Sequence, residues 1–260
     1  TAADLVGTPD QFWGLPRSAA AVRPLGADEP CYIQFSSGST SLPRGVLVTQ
    51  QAVADNAAAI AEHGLRLTRE DRCVSWLPLY HDMGLVGCCL TPVLTQITVD
   101  YIPTTGFVRR PLTWLKVLSE QRGTISFAPT FGYELCARRA ENADPAAFDL
   151  GSWRVAGIGG EMIRVRALQE FAERFAPAGF RSTAFLPSYG LAEATLAVTF
   201  STPGEGVQVD RVRCGAPLER DRRAVPAPAH GEASATRARS FAVCGRPMPR
   251  YRVEIRDDRN

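Results

Sequence analysis

The stretch Ser36-Ser37-Gly38-Ser39-Thr40-Ser41-Leu42-Pro43-Arg44-Gly45 gathers hydroxyls, glycines and one guanidinium in a single short segment. Backbone N–H groups and side-chain O–H groups in such a segment can converge on one anion, and Arg44 adds charge. The pattern is not the G-x-x-x-x-G-K-S/T phosphate loop that opens a helix. A Ser/Gly/Pro cluster also marks an ordinary solvated hairpin loop. Two further stretches set polar groups just beyond apolar runs. They are Trp76-Leu77-Pro78-Leu79-Tyr80-His81-Asp82-Met83-Gly84-Leu85 and Pro187-Ser188-Tyr189-Gly190-Leu191-Ala192-Glu193-Ala194-Thr195. Polar groups at strand ends are where open α/β sheets bind ligands. Each also has a plain structural reading: His81 as a helix cap, Tyr189 as core, Glu193 as a solvated residue in a helix's first turn.

The elements that must position these segments read as an α/β alternation. Tyr32–Ser36 and Gly45–Thr49 are predicted strands around the hydroxyl-rich loop, and alanine-rich Gln50–His63 is a predicted helix. Cys73–Trp76 and Ile97–Ile102 read as buried strands with a helix between them from about Asp82. Pro111 suits the first position of a helix running to about Gln121. Ile125–Phe127, a helix over Phe131–Ala140, strand Val155–Ile158 and helix Ile163–Phe175 continue the pattern. Such alternation predicts an α/β fold with a mostly parallel sheet flanked by helices. After Phe200 the chain turns β-rich, with expected strands at Val207–Cys214, Phe241–Cys244 and Arg252–Arg256. The Pro/Ala/Arg-rich stretch 219–240 between them reads as a long surface loop or a disordered one. The expected organisation is a lead-in over 1–30, an α/β core over 31–206 and a β-rich part over 207–260, ending directly after a strand as a truncated fold would.

Composition narrows the classes. The net charge of +2 provides no basic field that would favour nucleic acid or an anionic membrane. No apolar run reaches the ~18 residues of a membrane span; the longest, Gly84–Leu94, is interrupted by Thr91 and Pro92. The start lacks the basic and apolar regions of a signal peptide, so a cytoplasmic protein is expected. Seven cysteines without a C-x-x-C spacing imply neither a disulfide framework nor a zinc site, and read as buried free thiols. Of the 29 basic residues only Lys116 is a lysine.

The three polar segments together resemble the core motifs of the adenylate-forming superfamily of acyl-CoA synthetases, peptide-synthetase adenylation domains and luciferases. Tyr32–Gly45 is similar to the family's phosphate loop, and Ser188–Glu193 to its Tyr-Gly-x-x-Glu segment. The stretches His81-Asp82-Met83-Gly84-Leu85, Ala128–Cys136 and Leu191–Leu196 resemble the fatty acyl-AMP ligases in particular. That resemblance covers about residues 31–257. It implies ATP and Mg²⁺ as cofactors, Ser36, Ser37, Gly38, Ser39, Thr40, Arg44 and Gly45 on the phosphates, and Ser188, Tyr189 and Gly190 near adenine. It also implies a Gly-rich adenine turn at Gly159-Gly160-Glu161, Mg²⁺ on Glu193, and His81 near the acyl carboxylate or gating the acyl tunnel. Met83–Leu90 and Ala128–Tyr133 become candidate walls of an acyl tunnel, with core packing as the equal alternative.

The implied activity is ATP-dependent conversion of a fatty acid to an acyl-adenylate, with an acyl carrier protein of polyketide or lipopeptide assembly as the expected acceptor. Two readings stand beside it: a truncated or degenerate relative that binds nucleotide or a partner without turnover, and an acyl-CoA ligase. Two positions depart from the family's loop, which usually has lysine where Arg44 stands and glycine where Ser41 stands. The family's ribose-binding aspartate and adenylation lysine would lie beyond residue 260, so the chain alone is expected to be weak or inactive. The segment that distinguishes these ligases from acyl-CoA synthetases is expected within Val207–Ser240.

Overall fold

Short apolar runs form strands here because both faces of the sheet they join are covered. The computed structural model describes residues 9–13, 23–36, 44–142, 144–214, 224–227 and 238–256. A short helix α1 (Pro9–Phe12) precedes the hairpin β1 (Pro30–Ser36) and β2 (Arg44–Thr49), which pair antiparallel as a separate two-stranded sheet. Thr49 ends β2 and caps α2 (Gln50–Ala59), its hydroxyl accepting the Ala52 N–H at 3.2 Å. A wider π-helical turn, Ile60–Leu65, prolongs that helix. Then follow β3 (Arg72–Ser75), a π-helical stretch Met83–Leu90 running into α3 (Thr91–Thr95), and β4 (Thr98–Tyr101). Helices α4 (Thr104–Arg109) and α5 (Leu112–Glu120) lead to β5 (Ile125–Ala128) and α6 (Thr130–Arg139). Next come β6 (Val155–Ile158), α7 (Val165–Phe175), β7 (Phe185–Gly190) and β8 (Ala197–Phe200). A second antiparallel pair, β9 (Val209–Arg213) and β10 (Ala238–Ala242), and the short β11 (Arg246–Pro247) complete the described chain.

The main sheet runs β11-β8-β7-β6-β5-β3-β4. β4, β3, β5, β6 and β7 are parallel; β8 and β11 add antiparallel edges. Strand order therefore reverses at β3, whose neighbours are β4 and β5. The ladder between β3 and β5 is sparse, with Cys73 opposite Ile125. A buried side-chain relay reinforces it: Trp114 Nε1 donates to Ser126 Oγ at 2.8 Å, and Ser126 Oγ donates to the Val74 carbonyl. Trp114 is the hub of the aromatic core, edge-on to Tyr133 at 5.3 Å and to Trp153 at 5.2 Å. Phe107 stacks on Trp76 at 3.8 Å.

Most predicted elements appear, with instructive differences. Pro111 caps α5 rather than entering it. The helix expected from Asp82 is π-helical in its first part, and Pro92 provides a reason. Lacking an N–H, residue 92 cannot bond the Cys88 carbonyl as an α-helix would; the Tyr101 hydroxyl donates to that carbonyl instead, at 2.7 Å. Pro187–Gly190 lie inside β7 rather than after a strand. Helix α4 and the antiparallel β8 were not expected. Residues 252–256 form no strand, although Arg-Val-Glu-Ile-Arg alternates: Val253 and Ile255 are exposed, and no neighbouring strand among the described residues bonds to them. β10 starts three residues before the expected Phe241. Most of the expected loop 219–240 lies outside the described residues. Among the described residues, no helix is long and apolar enough to cross a membrane.

At the amino ends of the strands, Asp71, Thr68, Thr124 and Arg154 form a hydrogen-bonded network. The buried Asp71 carboxylate accepts from Arg154 at 2.8 and 2.6 Å, from the Thr68 N–H at 2.8 Å and from Thr124 Oγ1 at 2.7 Å. Arg154 also caps the Leu65 carbonyl at 3.0 Å, joining α2's end to β3, β5 and β6. Burial alone would raise the Asp71 pKa, but these bonds outweigh it and hold it below the usual value. A carboxyl with a lowered folded pKa stabilises above its unfolded value of about 3.9, and that contribution is lost as pH falls through the folded value. Asp71→Asn is expected to cost about 2 kcal/mol at pH 7, with the gap to wild type closing below about pH 4; urea unfolding at both pH values measures it.

Candidate active site

A cleft of about 550 Å³ opens at the C-terminal edge of the parallel strands, a volume ordinary for a small-molecule site. Its walls come from four directions: Gln34 and Phe35 of β1, Tyr80–Met83 after β3, Gly159–Gly160 after β6, and Ser188–Glu193 of β7 and its turn. Ile60, Leu65, Phe127, Leu196 and Phe200 make its apolar end.

Glycine is required where the backbone walls meet. Gly160 has φ +80°, and a Cβ on Gly159 would stand 3.0 Å from Ser188 Oγ. Ser188 Oγ donates to the Ile158 carbonyl at 3.0 Å, bracing β7 against the end of β6. A Cβ on Gly190 would collide with the Leu196 carbonyl, because β7 turns back on itself: the Leu191 N–H bonds that carbonyl at 2.8 Å. Tyr189 is half exposed at this opening and Glu193 is exposed at the tip of the turn.

His81 stands at the mouth, its Nδ1 paired with Asp82 Oδ1 at 2.7 Å. The same Oδ1 accepts the Met83 N–H at 2.7 Å, capping the π-helical stretch. Gly84 is needed directly behind it, since a Cβ there would strike the Pro78 carbonyl. Gln34 Nε2 donates to the Tyr80 carbonyl at 3.3 Å, tying the hairpin to this loop. Ser36 and Arg44 pair across the hairpin just beyond those residues, with Gly45 opposite Phe35.

The structure thus brings His81, Gly159, Gly160, Ser188, Tyr189, Gly190 and Glu193 around one cleft. It directs the Glu161 side chain elsewhere: Oε1 accepts the Phe131 N–H at 3.0 Å, satisfying the start of α6, and lies 3.9 Å from Arg164. Ser37, Gly38, Ser39 and Thr40 lie outside the described residues. Of the two expected tunnel walls, Met83 and Gly87 line the cleft. Tyr133 is fully buried core, bonded to the Gly157 carbonyl at 2.9 Å, so the Ala128–Tyr133 stretch goes largely to packing. Sequence reasoning missed Phe127, Leu196 and Phe200, which are apolar residues on strands and at a turn and look like any core position until the sheet closes. Gly64 and Gly157 are the nearest signal of them: a Cβ on Gly64 would run into the Phe200 ring, and one on Gly157 into the Phe127 ring.

Compared with known proteins, residues 3–260 match the AMP-binding enzyme family. The chain belongs to that family. A Caulobacter vibrioides protein provisionally named an acyl-CoA synthetase is 49% identical over 245 residues, covering 94% of this chain and 42% of its own length. A medium-chain-fatty-acid–[acyl-carrier-protein] ligase of Moorena producens is 36% identical over 231 residues, covering 89% and 38%. A solved chain from studies of fatty acyl-adenylate ligases of E. coli and L. pneumophila superposes with a TM-score of 0.88 at 47% identity, covering 96% of this chain and 44% of that one. This AMP-binding enzyme chain therefore spans about two fifths of the length of the relatives it matches.

In this chain the Asp82 bond raises the His81 pKa above its usual value, against the lowering effect of partial burial. A histidine raised in the fold stabilises fully below about pH 6.5, and that contribution fades as pH rises through the folded value. Ring-proton NMR is expected to show His81 titrating above about pH 6.5, with Asp82→Asn lowering the midpoint. An unchanged midpoint in Asp82→Asn contradicts the pairing.

Proposed function

We propose that this chain carries the nucleotide and acyl sites of an ATP-dependent fatty acyl-AMP ligase. The observation that carries the reading is the cleft itself: its lining combines the Gly159-Gly160 and Ser188–Glu193 segments with apolar Ile60, Leu65, Phe127, Leu196 and Phe200, and includes His81. Tyr189 and the Gly159-Gly160 backbone, with Ser188 and Gly190 beside them in the same lining, would receive the flat base. Arg44 and the segment Ser36–Gly45 would meet the triphosphate; for Ser37–Thr40 this rests on residue type. The apolar end suits an alkyl chain.

Two anions must meet in this reaction, so charge neutralisation and alignment dominate. A carboxylate oxygen bonds the α-phosphorus of ATP while the bond to the bridging oxygen breaks, releasing pyrophosphate. A protonated His81 at the mouth would stabilise the incoming carboxylate, and Arg44 the phosphates. Glu193 fits a magnesium ion, which typically takes one or two carboxylates and completes its shell with phosphate oxygens and water. The metal would supply charge neutralisation on the triphosphate.

Within this reading, 31–206 is the adenylation core and 207–260 its β-rich continuation. An acyl carrier protein of polyketide or lipopeptide assembly is the proposed acceptor, supported by the Moorena relative's printed activity. Free cysteines throughout suit the cytoplasm.

Mass spectrometry after incubation with ATP, Mg²⁺ and a medium-to-long fatty acid is expected to detect acyl-AMP. Glu193→Ala should lower its formation by about 10²-fold, as loss of one charge-stabilising group typically does. Acyl-AMP formation unchanged in Glu193→Ala defeats the metal role, and acyl transfer to coenzyme A in preference to a carrier protein defeats the proposed acceptor. Gly87→Leu tests the acyl end. A Cβ at Gly87 would stand 3.2 Å from Leu196, so the variant should discriminate against longer acids by about fourfold per excluded methylene. An unchanged chain-length profile places the acyl chain elsewhere.

A further inference from the structure

The turn that presents Glu193 is strained. Thr195 has φ 72° and ψ −57°, and the Leu196 N–H bonds the Ala194 carbonyl at 2.9 Å. These are the marks of a γ-turn in its rare, mirror-image form, unfavourable for any residue with a Cβ and most of all for a β-branched one. Such a conformation persists only where surrounding contacts over-determine it.

Backbone bonds within the turn, Leu191 N–H to the Leu196 carbonyl at 2.8 Å and Thr195 N–H to the Ala192 carbonyl at 3.0 Å, are joined by contacts from one side chain of α2. Asn56 is fully buried. Its Oδ1 accepts the Ala197 N–H at 3.2 Å, and its Nδ2 donates to the Ala197 carbonyl at 2.8 Å. Nδ2 also lies 2.5 Å from the Tyr251 hydroxyl and 3.4 Å from the Ala194 carbonyl. With two hydrogens on Nδ2, the strong bonds go to Ala197 and Tyr251, and the Ala194 contact is the long one. Asn56 thus grips the chain immediately after the strained turn through both polar groups of one residue, and touches the carbonyl that closes the turn.

We infer that Asn56 is a positioning residue: it holds the Ala194–Leu196 γ-turn in its strained form and thereby aims Glu193 at the cleft. The role in ligand binding rests on the proposed ligase reading; the clamp itself does not. Asn56 does not itself line the cleft, so its effect passes through the segment it bonds, Ala194 to Ala197. Removing it should let residues 191–197 relax to an ordinary conformation that carries Glu193 away from the metal.

Two measurements on the chain as it exists decide this, using Asn56→Ala, Thr195→Gly and the double variant, with Asp71→Asn as a stability control at the opposite edge of the sheet. Hydrogen exchange of segment 191–197 tests the clamp without any ligand. Asn56→Ala should accelerate exchange there well beyond the global loss of stability, and Asp71→Asn should not. Calorimetry with Mg·ATP, and with ATP in EDTA, tests the consequence. Asn56→Ala should weaken Mg·ATP about tenfold and leave metal-free ATP unchanged. Thr195→Gly in the Asn56→Ala background should restore most of that loss, because glycine adopts φ 72° without strain. Equal weakening with and without metal, the same metal-specific loss in Asp71→Asn, or no rescue by Thr195→Gly overturns the inference. A wild-type chain that binds no Mg·ATP overturns the ligase reading and the clamp's purpose with it, while exchange in segment 191–197 still decides whether the clamp exists.

Discussion

Between β3 and β5 the backbone ladder is thin, and the relay from Trp114 through Ser126 to the Val74 carbonyl holds the two strands together. Strand order reverses beside this seam, and a reversal leaves a crevice at the carboxyl ends because the following segments diverge to opposite sides. The Trp76–His81 loop leaves β3 on one side of the seam and α6 follows β5 on the other. Trp114 has no exposed surface, and its ring anchors α5 against Tyr133 and Trp153. A buried indole N–H needs a partner, so the hydrogen bond that satisfies it also sets how far the seam can open.

The two edges of the sheet are treated differently. At the amino end, Asp71, Thr124 and Arg154 satisfy one another and the carbonyls around them. At the carboxyl end stand a threonine in the γ-turn conformation, a half-exposed tyrosine, an exposed carboxylate and a π-helical stretch. Local rules are broken most often where a site is built, and the rest of the fold must then hold the departures in place. Asn56 and the Asp71 network do so from opposite sides of the same helix: Asn56 from within α2, and Arg154 by capping the carbonyl at its far end.

Much of this was legible in the residues. Val155–Ile158 reads as a strand because four apolar residues in a row suit a strand covered on both faces, and the structure has it with those limits. The polar segments at His81 and Tyr189–Glu193 were legible as candidates, and the structure brings both to the lining of one cleft. The strand at Arg252–Arg256 was misread because alternation is necessary for a strand but a bonding neighbour is also required. The place of Glu161 after two glycines does not announce where its carboxylate finds a donor, which is the start of α6.

By itself the sequence determined which chemistry is present and the period of most elements, because both depend on residue type and on neighbours a few positions apart. Only the tertiary structure decided that β8 runs antiparallel to β7, that Phe127 and Phe200 close the apolar end of the cleft, and that Asn56 grips Ala197. The physical reason is range. Asn56 and Ala197 are 141 positions apart, and a hydrogen bond across that distance exists only once the sheet has formed. No local pattern in either residue's surroundings announces it.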